Sequence, residues 1–133
     1  MQVQRLDHVN IRTGDLEGTV RFYAEVLGLE RRNPPEPLSP EEIQWMADES
    51  GQPIFHLVDA NCENRTGGQT NPGGVTGAID HVALNCAGYE EIVARLQASG
   101  ADFRTNDLSG IGLRQVFTRD PNNVLIELNF YGE

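Results

Sequence analysis

The sequence contains no lysine. Its ten basic residues are all arginine, set against twenty aspartates and glutamates, for a formal net charge of −10. A chain that grips nucleic acid needs a basic patch to neutralise phosphates, and no stretch here supplies one. Nucleic acid and anionic membrane surfaces are therefore not expected as partners, and the acidity serves solubility. Cysteine is nearly as scarce. Cys62 and Cys86 fit no CxxC pair and no disulfide framework, so both are expected to be free thiols in a reducing compartment. No apolar run approaches the roughly 20 residues that span a bilayer. The opening MQVQRLDHV lacks the apolar core and small-residue cleavage site of a secretory signal. A cytoplasmic location is the expectation.

What is present suits one domain of 133 residues, 38 % hydrophobic, which is enough for a core. Histidine is rare, with three in the chain, yet two of them fall in one repeated hexapeptide: Leu6-Asp7-His8-Val9-Asn10-Ile11 returns as Ile79-Asp80-His81-Val82-Ala83-Leu84. The repeat extends beyond the hexapeptide. After the first copy, Leu16, Val20, Tyr23 and Leu27 recur at helical spacing, with Asp15 as a cap and Gly28 as a stop. After the second, Tyr89, Ile92, Val93 and Leu96 do the same and end at Gly100. Short extended pieces follow each helix, at Glu30–Arg32 and Asp102–Arg104. Turn signals at Gly51-Gln52-Pro53 and Asp120-Pro121-Asn122-Asn123 then introduce the closing runs PIFHLVD and VLIELNF. Leu113–Thr118 reads as a strand. Its counterpart Ile43–Ala47 carries two signals: SPEE before it favours a short helix, and the repeat favours a strand, which is the reading adopted. The fold class expected is α+β, with two strand–helix–strand–strand–strand modules at 1–60 and 78–133 and a glycine-rich linker at 61–77. That linker is also a candidate lid.

Side chains alternate across a strand, which sorts the polar residues by face. Val9 and Ile11, like Val82 and Leu84, belong under the helices, so His8 and His81 take the opposite face. In the closing strands Phe55 and Leu57 alternate with His56, and Ile126 and Leu128 alternate with Glu127. Each closing strand thus carries one metal-capable residue at its middle. Taken singly, a strand histidine is readily explained as a satisfied core residue, and Glu127 as a solvent-facing one. Taken together, His8, His56, His81 and Glu127 occupy repeat-related positions, and a carboxylate inside VLIEL is costly unless paired or metal-bound. That coincidence favours convergence on one divalent ion: Zn, Ni, Co, Fe or Mn.

The stretches LDHVNIRTGDLEGTVRFYAEVLGLE, IDHVAL and VFTRDPNNVLIEL resemble the vicinal oxygen chelate superfamily, which includes glyoxalase I, methylmalonyl-CoA epimerase, fosfomycin-resistance proteins and extradiol dioxygenases. The resemblance spans nearly the whole chain. It implies paired βαβββ modules whose sheets form an open cup around a metal, with helices on the outer face. It also implies His8 and His81 as first-strand ligands, Glu127 as last-strand carboxylate, and frequent homodimers. Glyoxalase I has Glu, and epimerases often Gln, at the place of His56, which is here a fourth ligand or a base. The activity implied is that of a glyoxalase- or epimerase-like lyase or isomerase acting on a small oxygenated substrate through an enediolate, with Glu127 and His56 as catalytic candidates. Two other readings stand beside it. One is a non-haem Fe(II) dioxygenase built on His8, His81 and Glu127; the other is a non-catalytic binding or resistance protein. Asn10, Arg12, Trp45, Asn85, Arg114, Gln115, Phe117 and Asn129 are candidate lining residues, Arg114 for an anionic group.

Overall fold

The computed structural model describes residues 1–68 and 71–133. They form two compact units, Met1–Pro72 and Gly73–Glu133. The division falls inside the expected linker and candidate lid, of which Gln69 and Thr70 lie outside the described residues.

In the first unit, β1 (Val9–Thr13) leads into α1 (Leu16–Arg21), followed by β2 (Glu30–Arg32), β3 (Ile43–Ala47) and β4 (Pro53–Asp59). The second unit repeats the order: β5 (Val82–Cys86), α2 (Tyr89–Ser99), β6 (Phe103–Leu108), β7 (Leu113–Arg119) and β8 (Leu125–Tyr131). The two sheets share one topology, β1-β4-β3-β2 and β5-β8-β7-β6. In each, the first strand runs parallel to the last and the remaining pairs are antiparallel. Neither sheet closes into a barrel. This is the α+β architecture of paired βαβββ modules expected from the repeat.

The helices form where the apolar period and the caps agree. The Asp15 carboxylate accepts the N–H of Gly18 at the start of α1, satisfying one of the donors a helix start leaves orphaned. The helix then widens into a π-turn over Phe22–Val26, where Leu27 donates to the carbonyl of Phe22. That widening leaves Tyr23 wholly buried, its ring 4.6 Å from that of Phe55 on β4. In α2, Tyr89, Ile92 and Leu96 face inward, with Tyr89 edge-on to Phe130 at 5.5 Å. The helix start is capped from far along the chain. The Glu133 carboxylate accepts the N–H groups of Gly88 and Tyr89 at 3.0 Å, a carboxylate at the positive end of the helix dipole.

Ile43–Ala47 is a strand, with four of its five residues buried. The capping signal ahead of it yields a single turn, in which the Ser39 carbonyl accepts from Glu42 and Ile43. Burial of the IQWMA run between β2 and β4 outweighs the local preference for helix.

The turns before the closing strands are copies of one another. The Asp48 carboxylate accepts the N–H groups of Ser50 and Gln52, and the Asp120 carboxylate accepts those of Asn122 and Val124. The fourth residue of each turn is left-handed, Gly51 at φ 88° and Asn123 at φ 69°, the conformation glycine and asparagine tolerate. Asp120 is the buried member of the pair, 5 % exposed. Asp120→Ala leaves two backbone donors without their acceptor and is expected to cost about 2 kcal/mol, read from the urea midpoint at constant slope.

Candidate functional site

The face of the first sheet away from α1 carries His8, Asn10, Arg12, Trp45 and His56, as alternation predicts. On the parallel β1–β4 pair Asn10 lies opposite His56, and on the antiparallel β3–β4 pair Trp45 lies opposite His56. Three rings stack as a result. His8 and His56 have centroids 3.7 Å apart at 11°, and Trp45 and His56 are 4.3 Å apart at 8°. Nδ1 of His8 donates to the Asp7 carboxylate at 2.6 Å, which leaves Nε2 as the nitrogen available to a ligand. That bond holds the Asp7 carboxyl below its usual range. Further along β1, Arg12 donates through Nη2 to the carbonyls of Ala60 and Cys62. Its buried Nε has no hydrogen-bond partner among the described residues.

In the second unit the corresponding face is tied across β6, β7 and β8 and to His81, the residue that precedes β5. Nδ1 of His81 donates to Asp80 at 2.7 Å, and its Nε2 lies 2.9 Å from Oε2 of Glu127. The other oxygen of Glu127 accepts from Gln115 at 2.9 Å, and the same amide donates to Asn129. Gln115 accepts in turn from Asn106 on β6. The Glu127 side chain is 13 % exposed, so a carboxylate within an apolar run is accounted for by two partners. Arg104 stands over the ring of Phe117 at 4.5 Å on this face.

The model of the Glyoxalase/Bleomycin resistance protein/Dioxygenase superfamily matches residues 5–128, from the first Asp–His pair to beyond Glu127. The chain belongs to this superfamily. Solved members and relatives share its fold at low identity. A glyoxalase/dioxygenase from Nostoc punctiforme is 18 % identical with a TM-score of 0.74, covering 98 % of this chain and 92 % of its own. A virulence protein from Salmonella typhimurium is 19 % identical with a TM-score of 0.73, covering 98 % and 99 %. A lactoylglutathione lyase from Agrobacterium tumefaciens is 20 % identical with a TM-score of 0.66, covering 97 % and 95 %. At such identities the likeness establishes the fold. No curated protein sequence matches the chain.

Members of the superfamily commonly use a divalent metal, and the side chains present can be tested against one. His81 and Glu127 fit. Two ligands each about 2.1 Å from an ion stand roughly 3.0 Å apart at octahedral angles and about 3.4 Å at tetrahedral ones, so the ion pair at 2.9 Å between Nε2 and Oε2 needs only a small opening to admit one. Asp80 behind His81 is the carboxylate that metal-bound histidines usually carry on the far nitrogen, and Asp7 stands in the same place behind His8. His56 fits poorly beside His8, because stacked rings do not aim their nitrogens at one point. Among the described residues no group of three or more His, Cys, Asp or Glu side chains is gathered for an ion. The structure offers two pairs, His8 with His56 and His81 with Glu127, one in each unit.

One lining residue is corrected. Arg114 pairs with Phe130 in the register of β7 and β8 and lies on the helix side of the superfamily fold. Its guanidinium sits 3.4 Å over the Tyr89 ring and donates to Glu90. Gln115 and Phe117 pair with Asn129 and Glu127 and do occupy the histidine face; the intervening residues cannot. The arginine on that face is Arg104, opposite Phe117, a cross-strand pairing that parity along β7 alone does not report. Asp7 and Asp80 were also missed as participants, although they stand in the repeated hexapeptide itself. Both cysteines are free, and burial pushes the Cys86 thiol up to about 11, which leaves it unreactive at neutral pH.

The histidines differ in their surroundings. Burial, with the nearby charge of His8 second, lowers His56 below its usual 6.5. The bond to Asp80, with the charge of Glu127 adding to it, raises His81. A nitrogen-15 titration of the metal-free protein is expected to find midpoints on opposite sides of 6.5. The two groups pull stability in opposite directions. Through His56, stability falls as pH drops below 6.5, because the unfolded chain takes the proton first. Through His81, stability present below 6.5 is lost as pH rises through the raised folded value. Both midpoints at 6.5 would show that neither environment persists in solution.

Proposed function

We propose that the chain is a metal-dependent lyase or isomerase of the glyoxalase–epimerase kind, acting on a small oxygenated substrate by moving a proton next to a carbonyl. The observation that carries this reading is the His81–Glu127 pair with Asp80 behind it. His81 and Glu127 would hold the ion, and His8 is proposed as the further first-strand ligand, supplied by this chain or by a partner copy in a homodimer. A bound Zn, Ni, Co, Fe or Mn supplies a Lewis acid for the negative charge that develops on the substrate's oxygens.

The remaining chemistry falls to the chain itself. Gln115 anchors one oxygen of Glu127, so the other is presented in a fixed direction. That oxygen has a second lone pair besides the one an ion would take, and with it takes and returns the substrate proton; its largely buried setting, 13 % exposed, keeps bulk water from competing. Arg12, whose buried Nε has no hydrogen-bond partner among the described residues, and Arg104 are the groups suited to an anionic part of the substrate. A homodimer and a cytoplasmic location are part of the same proposal.

The test is metal analysis of the purified protein followed by exchange in heavy water. Hemithioacetals of methylglyoxal with several thiols, and a panel of 2-methyl-3-oxoacyl thioesters, are offered to protein loaded with each of the five metals. Metal-dependent exchange of the proton beside the carbonyl is the expected result. Metal uptake without exchange on any member of the panel would remove the reading.

The ring stack also favours a second reading. With His56 held against Trp45, the candidate ligands reduce to two histidines and one carboxylate, which is the ligand set of non-haem Fe(II) dioxygenases. Oxygen uptake with catechols after anaerobic loading with Fe(II) distinguishes the two.

A further inference from the structure

His56 is the middle ring of three. His8 lies 3.7 Å away on one side and Trp45 4.3 Å away on the other, both within 11° of parallel. An imidazole binds an ion in its own plane, along the lone pair of a nitrogen. An ion about 2.1 Å from Nε2 of His8, and in the plane of that ring, lies roughly 3 Å off the plane of His56. No nitrogen of His56 points at it. Turning His56 toward such an ion would strip it from both neighbours at once. Asp7 already fixes His8 at one edge, by accepting from Nδ1; His56 fixes the plane in which Nε2 can swing.

We propose that His56 is a positioning residue for His8, the central plate of a Trp45–His56–His8 stack, and not a metal ligand. The proposal rests on the metal reading for its consequence, since a held His8 matters only if His8 binds an ion. The stack itself does not depend on that reading. The assignment separates this chain's first closing strand from its second: Glu127 supplies a donor atom, and the repeat-related His56 supplies a flat surface.

Three variants test it in the full-length protein, with cobalt(II) as probe. His56→Phe keeps a flat ring and removes both nitrogens, His56→Ala removes the ring, and His8→Phe removes an assigned ligand. Affinity is measured by competition with a chromophoric chelator, and the coordination number is read from the visible absorption of bound cobalt. Trp45 is the only tryptophan, so its indole proton resonances report on the stack without metal. In His56→Phe the cobalt spectrum should be unchanged and the affinity should fall by less than about tenfold, the lower bound for losing a supporting group. His56→Ala should lose about tenfold or more, and His8→Phe more than about 100-fold. The ring-current shifts of Trp45 should survive in His56→Phe and collapse in His56→Ala. A His56→Phe protein that loses as much as His8→Phe, or whose cobalt spectrum changes coordination number, overturns the proposal and makes His56 a ligand. Trp45 resonances indifferent to His56→Ala overturn the stack. A wild-type protein that takes up no cobalt, with the Trp45 shifts intact, removes the metal reading and with it the positioning role.

Discussion

Glu127→Gln is expected to lower divalent-ion affinity by more than about 100-fold, beyond the range for supporting groups, while the fold persists. Glutamine matches the shape of glutamate and can still accept from Gln115 through its amide oxygen, so the lattice of amides across β6, β7 and β8 survives. What is lost is the charge beside Nε2 of His81. Asp80→Asn is the contrast. It stands behind the histidine, exposed and bonded to Nδ1, and is expected to cost about tenfold to 100-fold. The metal-free proteins provide a check independent of binding. His81 is raised first by Asp80 and then by Glu127, so both variants should lower its midpoint, Asp80→Asn by more. A Glu127→Gln protein that binds ions like wild type would refute the ligand assignment, whatever its activity.

The modules, the helices and the two faces of each sheet could be read from the sequence because the signal was local and doubled. A period of two in HVNIRT and LIELN decides the side of His8 and Glu127 without knowledge of the neighbouring strand. The pairings that matter at the site are different in kind. The stack depends on Trp45 lying opposite His56, a register that is set along β3 and β4 and shifts at Met46 and Ala47. No local rule reports such a register. Arg114 was misplaced because alternation was applied to β8 and not to β7, where Arg114 and Gln115 necessarily face opposite ways. The helix signal ahead of Ile43 lost to the burial of the strand that follows it. The cap of α2 by Glu133 joins residues 44 and 45 apart, a distance at which sequence pattern carries no information. The faces that carry His8, His56, His81 and Glu127 were legible, then, while the groups that orient those side chains were not: they are fixed by cross-strand neighbours or, like Asp7 and Asp80, had a geometry only the ring nitrogens reveal.

Phe55→Ala, one residue from His56, should have the largest effect on stability of any change near the site, about 3–5 kcal/mol. Phe55 is 1 % exposed and points under α1, opposite Val9 and Met46 in register and against the Tyr23 ring. Its removal leaves a cavity bounded by a helix and an inner strand, neither free to collapse into it. Against a total of about 5–15 kcal/mol for a domain, that is a large fraction, visible as a lower urea midpoint with unchanged slope. His56→Ala lies on the other face and loses two ring contacts, each worth about 0.5–1.5 kcal/mol, in a half-buried setting. The ratio of the two effects tests the face assignment on which the site is built, without metal or substrate. The same order should hold in the second unit, where Ile126 and Leu128 are 0 % and 2 % exposed on either side of Glu127. If His56→Ala proved the costlier change, the strand would be turned the other way and His56 would belong to the core.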